Sequence, residues 1–316
     1  MRRSLYAFWS SMNKALSGFI PLYAAVVCIL LLSHSMASAG AITIGQITPA
    51  GLAPQGIRGI TFDGEANPLV LDGSGRTIWR LDLQDASVIS TFPLTFVGDA
   101  SGLAFDVVTG RYFTSVRIAG PDMNLFTVDP FSGFATRVGP MGRFNFWNLA
   151  THPITGGDLW LVNDCANTQC TEVGGGTLGT VDKSTGAVTP VHYFGTSLDL
   201  LTALAISPQG RFFVAAQRGG FSGFNRIYEI DPVSGESTFI TDTGSGQSIL
   251  RGMAFDPSTS RLYGVEQRGI EPRVLYLIEV TGLPSLQIEV VIDIKPGSDP
   301  NCFNNNERGV IPIAIF

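Results

Sequence analysis

A short strand that ends in an acid recurs five times along the chain, and this repetition limits its architecture more than any other feature. The copies are Ile78-Trp-Arg-Leu-Asp82, Leu125-Phe-Thr-Val-Asp129, Leu178-Gly-Thr-Val-Asp182, Ile227-Tyr-Glu-Ile-Asp231 and Leu275-Tyr-Leu-Ile-Glu279. A second motif precedes each copy: GITFD from Gly59, GLAFD from Gly102, NLATH from Asn148, ALAIS from Ala203 and GMAFD from Gly252, at spacings of 43, 46, 55 and 49 residues. Between the two motifs lie a short turn, such as Asp106 to Gly110 or Asp256 to Ser260, and a second strand, such as Arg111 to Val116. A fourth strand, such as Phe134 to Val138, follows the acid.

Four short antiparallel strands at this period make a β-propeller blade. A β-sandwich has no reason to repeat one strand ending five times. The expected fold is therefore all-β, a propeller of four-stranded antiparallel blades with five repeats visible, a sixth, degenerate blade being the competing count. The strand Ile42 to Thr48 lies ahead of the first unit and is placed to pair with the last blade and close the ring. The small residues Thr61, Ala104, Ala150, Ala205 and Ala254 suit the crowded centre where the opening strands converge.

The acids have a local explanation. In Asp129-Pro-Phe-Ser-Gly133, Asp182-Lys-Ser-Thr-Gly186 and Asp231-Pro-Val-Ser-Gly235 the Asp accepts backbone N–H bonds, and Gly takes the left-handed position of a hairpin turn. His152 aligns with the turn residues Asp63, Asp106 and Asp256, which makes it a turn residue too. No cofactor is expected on this reading, although oxygen-rich repeats leave Ca2+ or another divalent metal as the sharper alternative.

The ends differ from the middle. Residues 1–39 carry Arg2, Arg3 and Lys14 with no acid, then an apolar run from Phe19 to Leu32 and Ala37-Ser38-Ala39, the layout of a secretory signal peptide. The run is about 14 residues, short of the ~20 that span a bilayer, so no membrane span is expected after cleavage. The whole chain has a net charge of −6; without residues 1–39, which hold three of its 20 basic residues and none of its 26 acids, the charge is −9. That balance argues against a nucleic-acid partner. Export to the periplasm or the exterior permits disulfides, and Cys165 and Cys170, five residues apart in one loop, are expected to pair. A zinc site would need more ligands nearby than these two. The expected domains are residues 1–39 as leader, 40–291 as propeller and 292–316 as the start of a further β module.

The repeats resemble secreted bacterial propeller repeats of the form L-A-F-D-P-x-T-G-x-L-Y … L-Y-x-I-D-P-x-T-G, of quinoprotein-like and lactonase-like character, over about Gly40 to Val291. The tail, with Ile292-Asp-Ile-Lys-Pro-Gly-Ser298 and Gly309-Val-Ile-Pro-Ile-Ala-Ile-Phe316, is similar to a small C-terminal β module of secreted proteins with the pattern I-D-I-K-P-G-S-x-P-N. The first resemblance implies the fold; neither implies an activity, because propellers include enzymes, binders and scaffolds.

A ligand site is expected on the face with the longer loops, since the opposite face carries only tight turns. Entering the opening strands, equivalent positions hold Arg58, Ser101, Trp147, Thr202 and Arg251; leaving the second strands, the rim holds Arg117, Asp164, Gln217 and Gln267. If five blades close, Arg58 and Arg251 are neighbours and suit an anion. The ligand classes this mixture suits are carbohydrate, peptide and small anion, in an extracellular binding or interaction module. The rival is a metal-assisted hydrolase or lyase of lactonase-like type at the channel mouth. The mature chain has only His152 and His192 and no H-x-x-x-H, G-x-S-x-G or phosphate-cradling loop, so no catalytic residue is assigned.

Overall fold

In a computed structural model the chain is all-β. The structure describes residues 40–47, 57–72, 76–95, 98–118, 120, 122–143, 148–165, 173–195, 198, 200–217, 225–243, 248–268 and 274–283. The expected leader, the Cys165–Cys170 pairing, Trp147 and the tail from residue 292 lie outside them.

The first strand, β1 (Gly40–Gln46), stands apart from the four strands that follow it in sequence. Blade one is β2 (Ile57–Phe62), β3 (Pro68–Asp72), β4 (Thr77–Leu81) and β5 (Val88–Pro93). Blade two is β6 (Asp99–Asp106), β7 (Arg111–Arg117), β8 (Asp122–Val128) and β9 (Ala135–Arg143). Blade three is β10 (Asn148–Thr151), β11 (Leu159–Cys165), β12 (Val173–Val181) and β13 (Val188–Tyr193). Blade four is β14 (Leu200–Ile206), β15 (Phe212–Gln217), β16 (Asn225–Ile230) and β17 (Ser237–Asp242). Blade five takes β18 (Ser248–Phe255), β19 (Leu262–Arg268) and β20 (Val274–Thr281) from late in the chain and β1 as its outermost strand. The antiparallel β1–β20 pair runs from Gly40↔Thr281 to Gln46↔Tyr276, so the two ends of the repeat region hold each other.

The innermost strands β2, β6, β10, β14 and β18 contact one another in ring order, and β18 meets β2. Glycines let them approach closely. A Cβ on Gly59 would lie 2.7 Å from the Leu103 nitrogen, and one on Gly252 would lie 2.8 Å from the Ile60 nitrogen. The crowding expected at the centre is thus found two residues ahead of Thr61 and Ala254. Asn148 fills the equivalent position in blade three. It is buried, accepts from Leu204 N–H at 3.2 Å, and donates from Nδ2 to the Arg251 carbonyl at 3.4 Å. Since β10 and β18 are not neighbours in the ring, that side chain crosses the axis.

Core packing lies between blades. Val70, Trp79 and Leu81 of blade one cluster with Tyr263, Val265 and Leu277 of blade five, and Phe113, Met123 and Leu125 of blade two with Leu149, Leu159 and Leu161 of blade three. The outer rim is locked as well. Each outermost strand carries a bulge, at Ile44, Ile89, Val138 and Met141, Val191 and Ile240. Hairpin tips of the next blade seat against these strands: Gly133 against the Pro93 carbonyl, Gly186 against Gly139 and Gly235 against the His192 ring. A methyl group at any of the three would overlap its neighbour, which adds a packing reason to the left-handed φ of 68°, 78° and 73° there.

Candidate functional site

Antiparallel order sends the turns between first and second strands and those between third and fourth strands to one face, called here the turn face. The remaining connections form the loop face. On the turn face the acids act as the sequence predicts. Asp129 Oδ1 accepts from Phe131 N–H, Ser132 N–H and the Ser132 hydroxyl at 2.9–3.0 Å. Asp182 and Asp231 accept from Ser184 and Thr185 N–H and from Val233 and Ser234 N–H. The N–H of Ser132 beside Asp129, the Ser184 hydroxyl beside Asp182 and the Val233 N–H beside Asp231 hold these carboxyls below the usual value.

The first turns follow the same rule. Asp63, Asp106 and Asp256 accept from the N–H two residues on, and His152 does so through Nδ1, from Ile154 and Thr155 N–H at 3.3 and 3.2 Å. Burial lowers the His152 pKa and keeps the ring neutral, although Asp158 opposes this. Asp106 is buried. Burial alone would raise its pKa, but Lys183 Nζ at 2.9 Å, the Thr109 hydroxyl and Val108 N–H outweigh that and lower it. The Lys183–Asp106 pair ties blade three to blade two.

On the loop face the innermost strands of blades one, two, four and five are bulged where the sequence places the rim. Thr202 is the extra residue opposite the Leu201/Ala203 step, and Arg251 the extra one at Leu250/Gly252. Arg58 and Gly59 together face Leu71, while Gly102 and Leu103, just after Ser101, face Thr114. A bulge turns its side chain out of the ladder's alternation, a device proteins use to aim groups at a site. The carbonyls displaced in blade two are satisfied by Thr114 Oγ1, bonded to Gly102 O, and Ser115 Oγ, bonded to Ser101 O.

The expected rim residues fall into separate pairs. Arg58 donates to Ser101 Oγ at 3.4 Å across the boundary between blades one and two, and Arg251 Nε donates to Gln267 Oε1 at 3.3 Å within blade five. Because Gly59 and Gly252 touch, Arg58 and Arg251 occupy adjacent backbone positions on neighbouring strands. Arg117 stands opposite Asp99 in the β6–β7 register, and Asp164 lies near the end of β11. Gln217 is fully buried; its Nε2 donates to the Ser248 carbonyl at 3.3 Å, and its Oε1 has no partner. Beside it Asn225 donates to Ser248 O and Oγ and accepts from Leu250 N–H, joining blade four to blade five. Among the described residues no group of three or more His, Cys, Asp or Glu is placed to hold a metal ion.

One feature escaped the sequence reading. On the axis at the turn face lies a cavity of about 130 Å3 to which all five blades contribute. Thr61, Ala150, Ala205 and Ala254 form part of its wall, and Val107, Pro153, Pro208 and Pro257 stand around its mouth. Turn tips point their side chains at solvent, and several are apolar. Val107 is 61% exposed, Ile154 63% and Phe131 94%. The signal was present in Asp106-Val-Val and His152-Pro-Ile, apolar residues in turns where polar ones are usual.

These features place the chain among known folds. It is a five-bladed β-propeller. The glutaminyl cyclase of Myxococcus xanthus is similar to it with a TM-score of 0.50 and 18% identity, over 77% of this chain and 98% of that one. An exo-β-1,3-galactanase from Phanerochaete chrysosporium, solved with β-1,3-galactotriose, gives 0.54 and 13%, over 75% and 64%. The PQQ-bound aldose sugar dehydrogenase of Streptomyces coelicolor gives 0.47 and 13%, over 78% and 99%. At these identities the likeness is one of fold. No protein-family model and no curated protein sequence matches the chain.

Proposed function

We propose that the protein is a secreted β-propeller that works as a binding module at or outside the cell surface, taking an anionic ligand at the axial mouth of its loop face. One observation carries the reading: Arg58 and Arg251 sit on neighbouring inner strands whose backbones touch at Gly59 and Gly252, each at a bulge that lifts it out of the ladder. Two guanidinium groups brought in together match a carboxylate, sulfate or phosphate, and Ser101 and Gln267 already hold one bond to each. The ligand classes that fit are acidic carbohydrates, acidic peptides and small organic anions. Signal-type export, expected from residues 1–39, supplies the setting, and the module from residue 292 would follow the propeller in the mature chain.

The test is calorimetric titration of the mature protein with uronic-acid and sulfated oligosaccharides and with small dicarboxylates, beside the double variant Arg58→Ala/Arg251→Ala. A ligand of the parent should lose at least about tenfold in affinity, the value of one or more charge-assisted hydrogen bonds. Ligands that bind both proteins equally would remove the two arginines from the site.

A further inference from the structure

We propose that the axial cavity of the turn face is a second recognition site, which takes one apolar side chain of a basic polypeptide segment. It lies at the other end of the axis from the arginines and goes beyond the reading above.

The cavity's size and walls select the anchor. Its volume, about 130 Å3, is close to the ~150 Å3 of an engineered apolar cavity that accepts benzene. Ile60, Leu103, Leu149, Ile206, Met253 and Phe255 line it, and the hydroxyls nearest are already used: Thr61 Oγ1 accepts from Phe105 N–H, and Thr151 Oγ1 donates to the Phe105 carbonyl. A phenylalanine- or leucine-sized group therefore enters without stripping a polar atom of its partner. Val107 and Pro153 at the mouth extend the apolar contact outward.

The charge of the turn face selects what carries the anchor. Three bases of this face are paired with acids, Lys183 with Asp106, Arg211 with Glu229 and Arg261 with Glu279, and Arg80 donates to Asn67 of the Asp63 turn. Arg111 lies close enough to Asp129 to help lower its carboxyl. Asp63, Glu65, Asp82, Asp158, Asp182 and Asp231 then set the sign of the field. A cationic segment is drawn to such a face, whereas a second copy of it or an anionic lipid surface is repelled.

The test uses two labelled peptides, Lys-Lys-Phe-Lys-Lys and Lys-Lys-Ala-Lys-Lys, followed by fluorescence anisotropy at low salt. The Phe peptide should bind at least about tenfold more tightly than the Ala peptide, the value of burying one large apolar side chain. Filling the cavity with Ala150→Leu/Ala254→Leu should erase that ratio. The rim variant Val107→Ser/Pro153→Ser, confined to exposed residues of the mouth, should shrink it. Arg58→Ala/Arg251→Ala should leave it alone, which separates this site from the loop-face reading. Equal binding of both peptides to the parent, or a ratio that survives both the filled cavity and the rim variant, overturns the proposal. So does a concentration-dependent dimer in sedimentation that the rim variant dissolves, since the occupant would then be a second copy.

Discussion

The two faces of the propeller are held by polar groups of different reach. On the turn face Asp129, Asp182, Asp231 and His152 accept from N–H groups two or three residues further along the chain. On the loop face Asn225 reaches Leu250, 25 residues on, and Asn148 reaches Arg251, 103 residues on. Local bonds form wherever the local sequence permits, so they repeat from blade to blade. Long-range bonds exist only once particular blades meet, and each occurs once. The turn face is therefore a largely regular rim, crossed between blades by Lys183–Asp106 and by the bonds of Thr61 and Thr151 to Phe105, and the loop face is where the blades are individualised.

The largest effect should come from the ring that separates the two faces. Gly59→Val or Gly252→Val puts side-chain atoms where a neighbouring strand's backbone already lies, and should cost about 3 kcal/mol or more in urea unfolding. A near-neutral result would mean that the inner strands can move apart, and the division of the axis by Asn148 would lose its basis.

Next comes a matched pair, one variant per face. Lys183→Met leaves Asp106 buried without its cation, at a cost of about 3 kcal/mol near neutral pH. Asn225→Ala leaves Leu250 N–H without its acceptor and removes two donated bonds to Ser248, at about 2 kcal/mol with no pH dependence between neutral and acid. The pH slope tells them apart. In the parent the lowered Asp106 pKa contributes stability above the unfolded value of 3.8, which is lost as pH falls through the folded value. Without Lys183, burial is opposed only by the Thr109 hydroxyl and Val108 N–H, so the variant should lose less stability than the parent as pH falls. An unchanged slope would show that Lys183 does not hold the carboxylate.

His152 gives a smaller effect of defined sign. Its lowered pKa means that the folded state binds its proton less readily than the unfolded chain, so stability should decline as pH drops below about 6.5. His152→Asp restores the cap used in blades one, two and five, and the unfolding midpoint should lose its dependence on pH in that range. Smallest should be the hairpin acids: Asp129→Asn, Asp182→Asn and Asp231→Asn keep an acceptor oxygen for the turn and remove only the acid-side loss below 3.8. If these exposed sites moved the midpoint more than Lys183→Met does, the local rim would outweigh the contacts between blades.

The same difference in reach explains what could be read in the sequence. Blade number, the turn acids and the turn role of His152 are all local patterns, visible in one chain because they recur, and the closing strand shows as the one left over ahead of the first repeat. Nothing local distinguishes Asn148 from an ordinary strand residue; only its place in a series with Gly59, Gly102, Ala203 and Gly252 marks it, and the meaning of that series depends on which strands touch. Asn225 and Gln217 stand at the neighbouring ends of β15 and β16, and their common partner Ser248 belongs to another blade. The bulges leave no signature beyond an occasional glycine, so the sequence finds the positions of Arg58 and Arg251 without the distortion that redirects them. The cavity was missed because the turns around it were judged by their length, while Val107 declares itself by its chemistry.

The pairing of β1 with β20 has a consequence for the order of assembly. The first strand to be made belongs to the last blade to be completed, so during synthesis four blades can form while the outer edge of the fifth still waits for Val274–Thr281. Until then the ring is an open crescent with exposed ends, and its final step is a search between the most distant parts of the repeat region, the slowest kind of contact for a chain to make. The circle thus acts as a check on completeness: a propeller that has lost either end keeps its blades but not its seal.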